Sequence, residues 1–408
     1  MKKFLILSYS ISGMGGGQMY QYNKLKFMKK NGYETYIFYA ISGEIIIKEI
    51  EDVAKVCHVD SLNIDPRILN KKEIQSILSE MSNMLGSDNT ELIVECCNKN
   101  SSLWGDMLAE KLHGFSYCLI IDEKIGSIDN QLKDFFRFKR DRDELKGLKN
   151  ETYEMIFDGE KVPSTYQYCL RIAGNNVVAD VEYKNPVETN YDFKICSIGR
   201  LDKEYNLTLV DQIVLFAKNT DLKLFFCMIG DSPNHTDIDR IKEKFESVPN
   251  VDLYLYGSVY PIPKNLLNEF DIFISSAGSA RVSGDRGLPT ITIDSRDHMS
   301  IGIYQYETEN TVFRQGEPKI PISEKLQYVV NHYEEIKRKL YVKPKVDFDS
   351  IFRKHLEYYE AHNDEKKYYD VLSMKLSKGK MLEKIIYSVF GKSIYEEIRK
   401  IAFSRIQR

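Results

Sequence analysis

The sequence predicts an α/β protein with two domains, each built on a parallel sheet that is flanked by helices. Short apolar, β-rich runs alternate with helical patterns through both halves of the 408-residue chain, which is typical of parallel sheets with crossover helices. Two glycine-containing segments, 8–19 and 197–210, each follow an apolar run and precede a helical pattern. Such a turn lets backbone N–H groups approach an anion, and the helix dipole adds to the attraction. We therefore expect paired domains that face one phosphate-bearing ligand.

The first domain is predicted to span residues 1–181. A polar segment, 182–191, is interrupted by Pro186 and is predicted to be the linker to the second domain. The predicted strands of the first domain are 3–8, 33–39, 54–58, 92–95, 117–121 and 177–181, and its predicted helices are 18–31, 71–86, 101–113 and 127–148.

The second domain is predicted to span residues 192–345, and a helical extension to follow it at 346–408. The extension ends in a basic segment, 375–408, with nine Lys/Arg against three Glu. The predicted strands of the second domain are 193–198, 222–229, 251–256, 272–275 and 290–293, and its predicted helices are 206–218, 236–247, 263–269 and 279–286.

Apolar residues recur at helical spacing along the basic segment, and two interpretations of them stay open. Amphipathic basic helices are typical of anionic membrane surfaces, and a stripe of this kind also serves as a packed core face. The residues are Leu382, Ile385, Ile386, Val389, Phe390, Ile394, Ile398 and Ile401.

Composition excludes several classes of function. A net charge of −3 and a pI near 6.2 give no overall attraction to nucleic acid. The seven cysteines and seven histidines show no spacing typical of metal ligands, so no metal site is expected; the family resemblance described below implies no cofactor either. No run of 18 apolar residues occurs, and the short apolar start lacks the features of a signal peptide. We expect a cytoplasmic protein.

Candidate ligand-binding residues follow the predicted strands of the second domain. The segments 199–203, 228–233, 257–260 and 275–281 all come directly after strands, and open α/β sheets bind ligands at the carboxyl ends of their strands. Three cations in these segments could meet a diphosphate there, and the start of the helix at Ser279 adds free N–H donors. The cations are Arg200, Lys203 and Arg281.

The order of these motifs resembles that of GT-B glycosyltransferases of the family-4-like type (glycosyl transferases group 1), over about residues 1–345. Gly15, Gly16 and Gly17 match the N-terminal glycine loop of that family, and SIGRL at 197–201 matches its GRL strand end. IGDSP at 229–233 and GLPTI at 287–291 match its GDGP-like turn and its G-x-P-x-I strand entry. The resemblance implies two Rossmann-like doubly wound domains that face a cleft, followed here by the helical extension.

The resemblance also implies an activity. Such enzymes move a sugar, without a metal, from a nucleotide-diphosphate donor to an acceptor that the N-terminal domain holds, and they retain the anomeric configuration. The pattern at 275–311 resembles a divergent branch among bacterial surface-polysaccharide enzymes, with a saccharide or lipid-linked acceptor. The candidate catalytic residues are Arg200, Lys203 and Glu123, the candidate donor-binding residues are Gly199, Gly230, Asp231, Gly278, Ser279, Ala280, Arg281 and Asp285, and the candidate acceptor-side residues are Gly15, Gly16 and Gly17.

Three departures from the family pattern leave alternatives open. Tyr205 stands where the family has a Lys, Asp122 and Glu123 stand where it has a His, and its pair of glutamates is absent, with Asp285 as the only carboxylate near the expected ribose contact. One alternative is a non-catalytic subunit that binds a nucleotide-sugar or a polysaccharide. Another is an epimerase that acts on a UDP-N-acetylhexosamine. Glu123, Asp231 and Asp285 also have simple structural interpretations, as caps of turns or as ion-pair partners.

Overall fold

The computed structural model describes residues 2–13, 15–86, 91–120, 128–147, 150–163, 177–187, 190–232, 235–361 and 366–406. The chain divides into two compact units. The first unit consists of Met1–Ala173 and Asp347–Arg408, and the second consists of Gly174–Val346. The C-terminal segment that was predicted as a separate extension therefore belongs to the first unit.

The first unit contains a six-stranded parallel sheet with the order β3-β2-β1-β4-β5-β6. Its strands are β1 (Lys3–Ser10), β2 (Glu34–Ile41), β3 (Lys55–His58), β4 (Leu92–Cys96), β5 (Phe115–Leu119) and β6 (Leu145–Lys146). The helices in its N-terminal part, Met1–Ala173, are α1 (Gly16–Lys30), α2 (Ile50–Val53), α3 (Lys71–Leu85), α4 (Lys99–Leu112), α5 (Asn130–Asp141) and α6 (Asn150–Ile156), with short 3₁₀ turns at Asp60–Asn63 and Pro66–Ile68.

Local sequence explains where these elements begin. In β1, the run from Phe4 to Leu7 is fully buried, as expected for a central strand that is covered on both faces. Asn70 and Asn98 each cap a helix. Their side chains accept a hydrogen bond from the backbone N–H three residues later, and their own backbone N–H donates to the side chain of that residue. The predicted helix 127–148 is shorter than expected, since α5 ends at Asp141 and β6 follows it.

The second unit repeats the same winding, with the order β10-β9-β8-β12-β13-β14. All pairs are parallel except β13 with β14. The strands are β7 (Val178–Ala179), β8 (Phe193–Ile198), β9 (Leu224–Ile229), β10 (Val251–Gly257), β11 (Ile262–Pro263), β12 (Ile272–Ser275), β13 (Thr290–Ile293) and β14 (Ser300–Ile303). The helices are α7 (Tyr205–Lys218), α8 (His235–Phe245), α9 (Lys264–Leu267), α10 (Ala277–Gly284), α11 (Ile322–Asn331) and α12 (Tyr333–Lys339).

The strand order of each sheet reverses once, between β1 and β4 in the first unit and between β8 and β12 in the second. Two Rossmann-like doubly wound units, as predicted, are therefore present. In such sheets, ligands bind outside the carboxyl ends of the strands at the point of reversal. The turns after β1 and β8, which the sequence singled out, both lie at these points.

One predicted strand belongs to the other unit. Residues 177–181 were expected to end the first domain, but Val178 pairs with Ile262 and Ala179 with Pro263. This two-stranded pairing lies in the second unit, which begins at Gly174. The partner strand, β11, is only two residues long and gave no recognisable pattern, so the sequence could not show where residues 177–181 would pair.

The chain returns to the first unit through α13 (Phe348–Ala361), a 3₁₀ turn at Val371–Ser373 and α14 (Lys378–Ile406). A buried polar cluster fastens α13 in place. The Nζ of Lys24 lies 2.6 Å from Nδ1 of His355 and 3.5 Å from Glu95, and the hydroxyls of Tyr20 and Tyr359 both donate to Glu95. Burial lowers the pKa of Lys24 to about 8, although Glu95 opposes the shift.

None of the helices in the described part of the chain has the length and apolar character that a membrane crossing requires.

Candidate donor site in the second unit

Three turns meet at the carboxyl edge of the second sheet. They follow β8, β9 and β10, and backbone hydrogen bonds join them side by side. The N–H of Gly199 donates to the carbonyl of Ile229, and the N–H of Gly230 donates to the carbonyl of Gly257, both over 2.9 Å. Backbone amides and carbonyls that would otherwise form hydrogen bonds with water therefore bond to each other and fix the relative positions of the turns.

Two of these turns require glycine. Gly199 and Gly230 have φ values of 148° and 150°, a region that side chains strongly disfavour. A Cβ on Gly230 would lie 1.9 Å from the carbonyl oxygen of Gly199. A Cβ on Gly199 would lie 2.9 Å from the Tyr205 hydroxyl and 3.7 Å from the Ser279 hydroxyl. The turn after β8 therefore lies directly beside the start of α10.

The first turn of α10 presents backbone donors at this edge. Ser276 precedes the helix with an extended backbone, and its hydroxyl donates to the carbonyl of Ile293 instead of capping the helix. Gly278 is exposed and Ser279 is half-buried, and within the part of the chain that the structure describes neither N–H has an acceptor. Ala280 differs, because it is fully buried and its side chain packs in the interior. The helix start thus offers N–H groups to an anion.

Arg200 lies in the turn after β8 with an exposed side chain. Its Nε is 3.2 Å from Asp202, and its side chain is 57% exposed. The turn itself is held by Asn206, which is buried and donates from Nδ2 to the carbonyl of Arg200 over 2.7 Å. An exposed ion pair contributes about 0–1 kcal/mol, so the guanidinium can exchange Asp202 for a phosphate at little cost.

Lys203 and Tyr205 complete this turn. The side chain of Lys203 is exposed, and it has no partner among the described residues. Tyr205, which replaces the lysine of the resembled family, is 7% exposed. Burial raises the pKa of Tyr205 to about 12, so this residue is neutral near pH 7 and supplies a hydroxyl rather than a charge.

Asp231 has a structural role in the turn after β9. Its backbone carbonyl accepts from the N–H of Leu201 over 2.9 Å, and its carboxylate accepts from the N–H of Ser232 over 2.8 Å. The side chain is otherwise exposed. The geometry matches the simpler interpretation of Asp231 as the cap of a turn.

Asp285 does not lie at this edge, contrary to expectation. It follows the last residue of α10, and this eight-residue helix runs back from β12 toward the start of β13. The carboxylate accepts a hydrogen bond from Tyr304 over 2.9 Å, and Lys343 donates to the same tyrosine hydroxyl. Since the N–H of Tyr304 donates to Thr290, the first residue of β13, Asp285 lies at the amino edge of the sheet.

Arg281 is half-buried on α10 between the two edges. Its charge acts on the hydroxyl of Tyr304, beside Asp285. The structure describes no contact between Arg281 and Arg200. Arg200 and Lys203 share one turn, and the meeting of Arg281 with them at a diphosphate stays a prediction.

Sequence reasoning missed a second arginine at the carboxyl edge. Arg296 follows β13 closely, and its side chain is 57% exposed. Its guanidinium donates to the buried carboxylate of Asp294 over 3.0 and 2.7 Å, and the N–H of Arg314 donates to Asp294 over 2.8 Å. Burial alone would raise the pKa of Asp294, but these hydrogen bonds hold it below its usual range. The charged run that follows the predicted strand at 290–293 was the signal for this group.

The loop that carries Arg296 also contacts α7. Nδ1 of His298 lies 3.3 Å from the hydroxyl of Thr208, near the start of the helix that follows the Arg200 turn. Strands β8 and β13 are separated by β12 alone, which places them about 10 Å apart. Arg200 and Arg296 therefore lie on loops at the same edge.

In the first unit, the glycine loop opens α1. Gly15 precedes the helix with an extended backbone, and Gly16 begins it with open space around the position of a Cβ. Gly17 follows in the first turn. The conformation that favours glycine in this segment is that of Gly13, with φ 73°. Glu123 and the loop at 121–124 lie outside the described residues.

No protein-family model matches the chain, and no curated protein matches it either. Solved structures do match. A glycosyltransferase from Rickettsia africae has a TM-score of 0.60 at 15% identity, over 90% of this chain and 100% of that one. HepE from Anabaena, solved with UDP and glucose, has a TM-score of 0.57 at 10% identity, over 88% of this chain and 100% of that one.

The chain has the GT-B fold. At these identities the likeness establishes the fold alone. A protein from Listeria monocytogenes that is assigned as a UDP-N-acetylglucosamine 2-epimerase also matches, with a TM-score of 0.50 at 11% identity, over 90% of this chain and 100% of that one. The fold alone therefore does not distinguish sugar transfer from epimerisation, and the distinction depends on the residues of the site.

Proposed function

We propose that this chain is a glycosyltransferase that takes a sugar from a nucleotide-diphosphate donor. One observation carries the proposal: the carboxyl edge of the second sheet combines fixed glycine turns, a helix start with free N–H groups and the exposed Arg200. Anions bind at such helix starts, and a cation beside them stabilises charge that develops on a leaving diphosphate. HepE, which shares the fold, was solved with UDP and glucose, and a ligand of that class suits this edge.

In this proposal, Arg200 neutralises the diphosphate as the bond to the sugar breaks. The N–H groups of Gly278 and Ser279 bind a phosphate oxygen, and Gly199 allows the ligand to approach the backbone. Lys203 and Arg296 are the further sources of positive charge, because neutral Tyr205 occupies the position of the lysine in the resembled family. No metal or cofactor is required, since side-chain cations and backbone donors supply the stabilisation.

The finer features of the proposal rest on the family resemblance. We expect a hexosyl group to be transferred with retention to a saccharide or lipid-linked acceptor, as part of bacterial surface-polysaccharide synthesis at the cytoplasmic face of the membrane. The acceptor would be held by the first unit near Gly15–Gly17. Residues 375–408 would contact an anionic membrane surface, an expectation that rests on their basic charge and helically spaced apolar residues.

A non-catalytic subunit that binds a nucleotide-sugar is the second candidate. The observation that favours it is the position of Asp285, which the sequence offered as the remaining carboxylate of the donor site and which lies at the amino edge of the sheet beside Tyr304. The glutamate pair of the resembled family is absent from this segment as well.

One experiment separates these functions. The purified protein is first screened with UDP-, GDP-, ADP- and TDP-sugars by thermal shift, where a ligand at about 100 times its dissociation constant adds ~2.7 kcal/mol of stability. The ligand that binds is then incubated with the protein, and nucleotide release and sugar configuration are followed by chromatography and NMR. Released nucleoside diphosphate supports a transferase, and an altered sugar that stays attached to the nucleotide supports an epimerase. Binding without any turnover, with and without acceptor extracts, supports the subunit.

A further inference from the structure

Helix α14 carries a row of exposed apolar side chains. They continue on both sides of Gly391, where a φ of 74° interrupts the helix. Half of the large apolar side chains that are exposed in the described part of the chain lie in this row. We call it the apolar stripe: Met381, Leu382, Ile385, Val389, Phe390, Ile394 and Ile398, which are 40% to 66% exposed.

The stripe is not the product of a detached helix, because the other face of α14 is packed. Ile386 and Tyr387 pack against the core of the first unit, and Tyr395 is 2% exposed. The hydroxyl of Tyr387 donates to Glu73 over 3.1 Å, and the hydroxyl of Tyr395 donates to Glu383 over 2.8 Å. The helix is therefore oriented by the protein, with its apolar stripe outward.

The basic side chains of α14 help to hold this orientation. Lys384 donates to the carbonyl of Arg67 over 3.3 Å, and Arg399 donates to the carbonyl of Asn63 over 2.9 Å. Lys392 bonds to Asp60 over 3.2 Å. The sequence suggested that these charges would meet lipid phosphates, but they are turned toward the first unit. Two of the three acceptors are neutral carbonyls, so the contacts of Lys384 and Arg399 do not neutralise the positive charge of these side chains.

We propose that the apolar stripe inserts into the interface of an anionic lipid bilayer. A bilayer removes apolar side chains from water at its acyl boundary and offers negative headgroups beside them. That arrangement complements an apolar row on a segment, 375–408, with nine Lys/Arg against three Glu. A second copy of the chain would instead bring two such positive segments together.

This inference rests on the proposed function only in that a lipid-linked acceptor would lie in the same bilayer. It also changes the expected mode of binding. Lys380 pairs with Glu383 of the same helix, and Lys384, Lys392 and Arg399 contact the rest of the first unit. Apolar insertion rather than charge therefore dominates. Added salt should therefore weaken binding moderately instead of abolishing it.

Fluorescence provides a direct test. Trp104 is the only tryptophan of the chain and is fully buried, so the added signal of a Phe390→Trp variant comes from the stripe. We expect its emission to shift to the blue, and to be quenched by brominated acyl chains, on vesicles of equal parts phosphatidylglycerol and phosphatidylcholine. An added signal that neither shifts nor is quenched would overturn the proposal.

Sedimentation with the same vesicles supplies the matched comparison. A variant with Ile385→Ser, Val389→Ser and Phe390→Ser should bind at least about tenfold more weakly than the native chain, because three inserting side chains are lost. Leu215→Ser, at a side chain that is 46% exposed on α7, should bind like the native chain. All the substituted side chains are exposed, and thermal unfolding checks that the fold persists.

Two results would contradict the inference. Equal vesicle binding by the triple variant would show that the stripe does not insert. A native dimer in light scattering that the triple variant turns into a monomer, with no vesicle binding by either, would assign the stripe to a second copy. Nucleotide-sugar binding is measured separately on each variant, so a failure here is distinguishable from a failure of the transferase proposal.

Discussion

Gly230 offers the sharpest structural test of the candidate donor site. Gly230→Ala places a Cβ 1.9 Å from the carbonyl oxygen of Gly199, a contact that only movement of the backbone can relieve. The φ of 150° at Gly230 adds conformational strain. Strain at such a φ costs roughly 1–3 kcal/mol and overpacking typically adds another 1–3 kcal/mol, so the free energy of unfolding should fall by roughly 2–6 kcal/mol.

Gly257→Ala is the matched control for this change. Gly257 also has a positive φ, 80°, but an added Cβ there meets nothing within 4 Å. It should lower the free energy of unfolding through strain alone, by roughly 1–3 kcal/mol. Urea unfolding of both variants measures the difference, and binding of the selected nucleotide-sugar shows whether the displaced Gly199 turn still accepts the ligand.

We expect Gly257→Ala to bind better than Gly230→Ala under conditions where both are folded. Equal stability and equal affinity in the two variants would refute the reasoning, because the contact between Gly230 and Gly199 would then have no energetic consequence.

Two further predictions concern the other residues at these turns. Asp294→Asn should lower the free energy of unfolding at pH 7 by about 1.5–3 kcal/mol, the range for hydrogen bonds to charged groups; because the folded state holds the pKa of Asp294 below its usual range, this difference should be complete above the unfolded pKa of about 4 and be lost progressively as the pH falls from there through the lower folded pKa. Urea unfolding at stepped pH checks this, and a difference that grows toward acid pH would contradict it. Gly16→Val should change the stability of the first unit little, since an added Cβ meets nothing within 4 Å, and should impair transfer while nucleotide affinity stays native; a parallel loss of nucleotide affinity would show that acceptor and donor have been assigned to the wrong units.

The sequence predicted the central strands of both sheets well. Residues 193–198 and 272–275 form strands with the bounds that were predicted, because short, mostly apolar runs before turn residues are typical of strands that are covered on both faces. Two short edge strands were missed, although β3, at the other edge of the first sheet, was predicted at 54–58. β6 has two residues and β14 has four, and pairing at a sheet edge depends on a neighbour that local sequence does not specify.

Within the candidate site, the order of strands and turns in the sequence correctly predicted which turns meet. It did not predict the positions of side chains that lie farther along a helix. Gly199, Gly230 and Ser279 come together because each lies just after a strand or at the start of a helix. Asp285 is carried to the opposite edge by the length of α10, and Arg281 is carried partway. Counting charges in 375–408 likewise gave no information about which lysines face the first unit.

The central claim, that Arg200 contacts the diphosphate of the donor, is tested most directly by calorimetric titration. The nucleoside diphosphate that the thermal screen selects is titrated into the native chain, into Arg200→Ala and into Arg240→Ala, which removes an exposed arginine of α8; the free nucleoside is titrated in parallel. Loss of a hydrogen bond to a charged group corresponds to about 1.5–3 kcal/mol, so Arg200→Ala should weaken binding of the diphosphate by roughly 10- to 150-fold. Its affinity for the nucleoside should stay native, and Arg240→Ala should bind both ligands like the native chain. Native affinity for the diphosphate in Arg200→Ala, or an equal loss for diphosphate and nucleoside, would contradict the account.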